Sequence, residues 1–313
     1  PALAAIRFQF WRDALNSIWA ADTTVGGTKG VVPQHPVAVM LAEMKMHRPV
    51  QKYYLTQMID QRAKILSRPP ASATLESHLS THAPLSNSLL LGPLPLLLPP
   101  THPSIAHISH TLSHISTLLT TVTLLRTLPI LVSSKRQLNL PSDICETHGI
   151  VEEDVLRNGP RATGLRDGCL EVGTRGMDEL ITARRDLKES NGKVVPPHVM
   201  PLFLAAVPAE TYLKRLEKHD FDVFHPDMQR QDWRLIPRLL DPDLLLRGSF
   251  DVLLPQSANR SQDLLRIETA FAACCLCSSF ALSALSEAEA SDRPDGMGPK
   301  LAQIYTGSST HPE

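Results

Sequence analysis

His107, His110 and His114 stand three and four residues apart in a stretch with helical periodicity. On a helix that spacing stacks imidazoles along one face, the geometry in which neighbouring side chains share a divalent metal ion. Such a site also needs a carboxylate or thiolate. The surroundings supply neither, because the chain holds no Asp or Glu from Ser77 to Ser142. The residues alone therefore favour a polar seam of histidines, with His107, His110 and His114 kept as the weak metal candidates. A second grouping runs from Lys218 to Pro226 and holds His219, Asp220, Asp222 and His225. Its structural reading is stronger: Asp220 or Asp222 accepts backbone hydrogen bonds, Phe221 and Phe224 dock in the core, and Pro226 opens the next element.

Other charged clusters read as ordinary helix surface. Asp178, Glu179, Arg184, Arg185 and Asp186 predict a solvated helix face. Glu152, Glu153 and Asp154 predict a helix N-terminus, where acids meet the positive end of the macrodipole. No Gly-x-Ser-x-Gly or dinucleotide fingerprint is present, and the Gly26–Gly30 cluster lacks the Lys-Ser/Thr ending of a phosphate-binding loop. A net charge of −1 leaves no electrostatic footprint for nucleic acid. The five cysteines show neither zinc spacing nor a disulfide framework, so reduced thiols are expected. The chain opens at Pro1 rather than Met, which reads as a fragment.

The elements that must position these residues are all helical. Residues 4–20 carry Ile6, Phe10, Leu15 and Ile18 near helical spacing. His35-Pro36 opens a helix to about His47, with Pro36 at the first helical position. Val50 to Leu66 and Thr74 to Leu91 follow, the latter weakened by Pro84; Leu89 to Leu98, broken by Pro93 and Pro95, predicts a buried turn. Ser104 to about Leu128 is the central helix, its apolar stripe running through Ile108, Leu112, Ile115, Leu119 and Val122. That stretch is long and nearly uncharged, yet its three histidines and many threonines favour a buried bundle helix over a membrane span. Gly159 to Gly176 is rich in Gly and Arg, and a charged helix is expected after it, from Met177 to Glu189. Pro201 introduces Leu202 to Val207, and Ala209 to Lys218 is amphipathic. No stretch alternates with the period of a strand, so the fold class is all-α. Beyond residue 240 regularity fades, predicting an irregular, partly disordered tail over 241–313 that includes the Cys274-Cys275-Leu276-Cys277 patch.

Several blocks, in order, resemble the squalene/phytoene synthase family. They are Arg7-Phe8-Gln9-Phe10-Trp11-Arg12-Asp13, His35-Pro36-Val37-Ala38, Met58-Ile59-Asp60-Gln61-Arg62 and, most specific, Leu140-Pro141-Ser142-Asp143 with Gly149-Ile150. Pro201-Leu202-Phe203 to Asp222-Val223-Phe224 completes a resemblance over roughly residues 4–240. It implies an isoprenoid-synthase-type helical bundle over 1–240, N-terminally incomplete. Family members that condense prenyl diphosphates carry two acidic motifs whose carboxylates hold Mg²⁺ against the departing diphosphate. The resemblance puts the second motif at the end of the central helix. Arg126 falls on its Arg, Thr127 on its first Asp, and Leu131 or Val132 on its second. The first motif would precede Pro1.

Within the family, the wording is most similar to a branch of mitochondrial proteins that assist assembly of respiratory complex I. The resemblance thus implies a non-catalytic protein on the matrix side of the inner membrane, with no cofactor. Its partners would be complex I subunits or assembly intermediates, and its cavity would suit an inner-membrane lipid or an isoprenoid-like ligand. The alternative is a Mg²⁺-dependent prenyltransferase, which the degenerate positions Arg126, Thr127 and Leu131 argue against.

Overall fold

The computed structural model describes residues 2–20, 32–67, 72–189 and 199–230, and every regular element among them is a helix. The Gly26–Gly30 cluster, the tail 241–313 and its cysteine patch lie outside the described residues. Helix α1 spans Ala2–Ala20, α2 Pro36–His47, α3 Lys52–Ser67 and α4 Leu75–Leu91. The short α5, Leu94–Leu97, leads into α6, Ile105–Lys135. Then come α7 Ser142–His148, α8 Glu152–Asn158, a 3-10 turn, α9 Leu165–Glu189, α10 Met200–Phe203, α11 Ala206–Lys218 and α12 Pro226–Gln229.

Local signals explain several boundaries. The His35 Nδ1 accepts from the Val37 N–H at 3.2 Å while Pro36 occupies the first turn of α2, where its missing N–H costs nothing. The Thr74 hydroxyl accepts from the Ser77 N–H and so caps α4. Gly149, at φ 64°, closes α7 in the left-handed conformation that favours glycine.

Helix α6 is the axis of the bundle. It packs most extensively on α9 and α4, with α11 also against it. Leu112, Leu118, Leu125 and Leu128 are fully buried along it, each contributing about 1.5–3 kcal/mol of burial. The expected stripe is buried at Ile108, Leu112, Ile115 and Val122, while Leu119 is only partly covered. On the α4 side small polar residues allow close approach: the Ser86 and Thr120 hydroxyls meet at 3.1 Å, and the Ser116 hydroxyl donates to the Ala83 carbonyl at 3.4 Å. Outward from there α4 packs on α3 and α3 on α1, where Leu15, Ile18, Met58 and Ile59 are buried. Arg12 Nε donates to Asp60 Oδ1 at 2.9 Å across that contact.

Two boundaries differ most from expectation. Helix α6 continues past Leu128 to Lys135 with Pro129 buried inside it. Packing of Leu128 and Val132 holds the turn that the proline weakens. Helix α9 begins at Leu165, twelve residues before the predicted Met177, and contains Gly168, Gly173 and Gly176. Two of these glycines are points of close approach. A Cβ at Gly168 would meet Ile150 Cδ1 at 2.7 Å, and one at Gly176 would meet Thr121 Oγ1 at 2.5 Å. Tertiary packing overrides the low helix propensity of glycine.

Candidate functional site

Three polar places lie along the bundle, and the first is the end of α6. The Thr127 hydroxyl donates to the carbonyls of Thr123 and Leu124, at 2.9 and 3.1 Å, and accepts from Asn139 Nδ2 at 3.2 Å. It is thereby committed to its own helix and to the loop before α7. Leu131 is half-buried hydrocarbon. Arg126 lies 5.9 Å from the ring centroid of Tyr212, a cation–π contact with α11. Burial, with the nearby Cys169, raises the Tyr212 hydroxyl above its usual range. This donor set does not fit Mg²⁺, which takes carboxylate and water oxygens in an octahedron. A hydroxyl spent on backbone carbonyls and an aliphatic side chain cannot clamp a diphosphate.

The second place is the α3–α4 face. His78 and His82, one turn apart on α4, stack with ring centroids 4.1 Å apart. Burial, followed by the proximity of His82, pushes His78 down to about 4. Burial and then Arg62 lower His82 in the same direction. Burial also lowers the Arg62 guanidinium; its Nε is buried without a hydrogen-bond partner, and no ion pair to it is found among the described residues. Both imidazoles are therefore neutral near pH 7, beside a cation with donors to spare.

The third place joins α6 to α9. His114 Nδ1 lies 2.5 Å from Glu179 Oε2, and Glu179 is also paired with Arg175. Asp186 Oδ2 lies 3.2 Å from His110 Nδ1 and 3.6 Å from His114 Nε2. Of the three histidines singled out in sequence, His110 and His114 thus meet a carboxylate, and their ligand atoms and that of Asp186 all lie within 4.8 Å of one another. His107 is outside that group, its Nε2 buried without a hydrogen-bond partner. The expected solvated face of α9 needs correction: Glu179 is buried, and Arg184 reaches the buried Glu210 at 2.8 Å. The signal for it was present, since Glu179 and Asp186 stand two helical turns apart on one side of α9.

The loop after α11 behaves as its residues suggest. Asp222 Oδ1 accepts from the Phe224 N–H at 2.9 Å, and Phe221 and Phe224 pack on the core. Pro226 opens α12. His219 and His225 stack at 3.8 Å and share Asp227, rather than Asp220 or Asp222, as their neighbouring carboxylate. An open groove of about 560 Å³ beside α9 is lined by His148, Asp167, Glu171, Thr174, Arg175 and Asp178, most of them solvent-exposed.

Comparison with known proteins sets these places in a lineage. The family model for squalene/phytoene synthase matches residues 1–236. The rat protein named NADH dehydrogenase (ubiquinone) complex I, assembly factor 6 is 32% identical over 230 residues, covering 74% of this chain and 63% of its own. Its human counterpart is 31% identical over 238 residues, 76% of this chain and 65% of its own. The fruit-fly homolog is 28% identical over 252 residues, 79% and 69%. This chain therefore spans just under two thirds of the length of the mammalian relatives. Among solved structures, squalene synthase HpnC from Alicyclobacillus acidocaldarius superposes with a TM-score of 0.52 at 16% identity, over 69% of this chain and 74% of that one. That likeness carries the fold and nothing finer.

Proposed function

Because this chain belongs to the squalene/phytoene synthase family, we propose that it is a non-catalytic member assisting assembly of mitochondrial respiratory complex I. One observation carries the reading: its similarity to proteins named as complex I assembly factors runs over about three quarters of its length. The end of α6 supports the non-catalytic half. Class I ionisation of a prenyl diphosphate needs metal ions against the developing negative charge. Thr127 and Leu131 supply no carboxylate to hold them. The reading needs no cofactor.

Its place of action is the mitochondrion, on the matrix side of the inner membrane, and its partners are complex I subunits or assembly intermediates. The α3–α4 face suits an accessory ligand. Arg62 and the neutral imidazole of His82, both partly exposed there, offer donors to the anionic headgroup of an inner-membrane lipid or of an isoprenoid-like molecule.

Deletion of the gene, followed by native-gel measurement of assembled complex I, tests the assembly role. Loss of the assembled complex and its recovery on re-expression are expected; normal levels after deletion sink the proposal. Incubation with farnesyl or geranylgeranyl diphosphate and Mg²⁺ tests the catalytic alternative. No condensed product is expected, and metal-dependent turnover would overturn the non-catalytic half while leaving the assembly result standing on its own.

A further inference from the structure

The α6–α9 seam is built like a metal centre. Helices α6 and α9 run antiparallel, so His110 faces Asp186 while His114, one turn on, faces both Asp186 and Glu179. The oxygen that the two imidazoles share, Asp186 Oδ2, is buried and has no hydrogen-bond partner. A buried carboxylate oxygen without a donor is costly unless a positive charge sits against it. That charge can be a proton on an imidazole or a metal ion between the three groups.

Geometry and the surrounding bonds favour the ion. Four ligands about a tetrahedral zinc with bonds near 2.0–2.1 Å stand about 3.3 Å from one another. The two distances from Asp186 Oδ2, 3.2 and 3.6 Å, bracket that edge. His114 also has its second nitrogen engaged: Nδ1 meets Glu179, which is buried and held by Arg175. A carboxylate on the far nitrogen is the arrangement that fixes the tautomer of a metal-bound histidine and aims the other lone pair at the ion. His110 lies at the exposed edge of the seam, its side chain 66% accessible. A fourth position there opens to water or to a group from a partner.

We propose that His110, His114 and Asp186 form a divalent-metal site, with Glu179 orienting His114. Two imidazoles and one carboxylate are a donor set for zinc or a similar transition ion, and a poor one for Mg²⁺ or Ca²⁺, which prefer all-oxygen shells. The site is separate from the vacated diphosphate clamp at Thr127 and does not depend on the assembly role.

The test uses the full chain stripped of metal with a chelator, then titrated with Zn²⁺ in a calorimeter and with Co²⁺ in a spectrophotometer. One equivalent should bind saturably, and Co²⁺ should show the visible absorption of a tetrahedral centre. His110→Ala and Asp186→Asn should each lose that equivalent. Glu179→Gln should weaken binding about tenfold or more, the usual effect of removing an orienting carboxylate. His225→Ala breaks up the second His/Asp cluster, His219, His225 and Asp227, and should leave the equivalent in place. His110 is exposed, so His110→Ala keeps the test decisive even if Asp186→Asn destabilises the fold. No saturable binding, or binding unchanged in His110→Ala, or binding lost in His225→Ala instead, would each overturn the assignment.

Discussion

Acid should loosen this bundle from within α4, and His78 is the residue that senses it. Its side chain is buried, stacked on His82, with Nδ1 lacking a hydrogen-bond partner. In the unfolded chain its imidazole titrates near 6.5, whereas burial and then His82 push it down to about 4 in the folded protein. Between those values the unfolded state binds the proton and the folded state does not, so folding stability rises with pH. The contribution is complete above pH 6.5 and is lost as the pH falls toward 4. At 1.36 kcal/mol for each tenfold difference in proton affinity, the gap amounts to about 3 kcal/mol. The lowered His82 acts in the same direction. His78→Phe keeps a ring against His82 and removes the titration. Urea unfolding followed by circular dichroism at intervals from pH 7 to pH 4.5 should show the wild type losing stability faster than the variant, by a few kcal/mol over that range. Parallel curves would refute the reasoning, because they would mean that His78 takes up its proton equally in both states.

Two further perturbations probe the α9 interface. Gly176→Ala should destabilise by about 1–3 kcal/mol despite the better helix propensity of alanine, because its Cβ would stand 2.5 Å from Thr121 Oγ1. Thr121→Ala should relieve the collision, so a double-mutant cycle in chemical denaturation should give a favourable coupling, and additivity would show that the two sites do not touch. Gly164→Ala meets both a backbone at φ 72° and the His148 carbonyl oxygen 2.0 Å from the new Cβ. A thermal melt should show a loss larger than that of Gly176→Ala, and an unchanged melting temperature would contradict the close approach of the His148 carbonyl to the chain just before α9.

Much of the fold was legible because its cues are local. His35-Pro36 and Thr74 mark helix starts through side chains acting within three residues of themselves. The central helix was legible from its stripe, yet its end was misplaced at Leu128, since no local rule says that a buried Pro129 will be tolerated. The glycines of α9 fall outside the expected helix, because what they accommodate, Ile150 and Thr121, belongs to other parts of the chain. The site was half legible for the same reason. Spacing placed His110 and His114 on one face, but Glu179, the carboxylate that meets His114, lies 65 residues further along the chain. The acid-free window was real in sequence and is filled in space by α9.

Helix α6 also sets an order of events during synthesis. Among the described residues it is the one helix long and apolar enough to cross a membrane, and more than half of its most apolar stretch is buried in the bundle. When it emerges, α4 already exists, but α9 and α11 have not been made. Several of its hydroxyls need no partner from elsewhere, since Thr111, Thr120 and Thr121 donate to carbonyls of their own helix. They raise little objection to a lipid environment. Among the groups that do are His110 and His114, whose carboxylates arrive only with α9. A nascent segment apolar enough for a bilayer thus carries two imidazoles whose ion-pair partners are translated only after it.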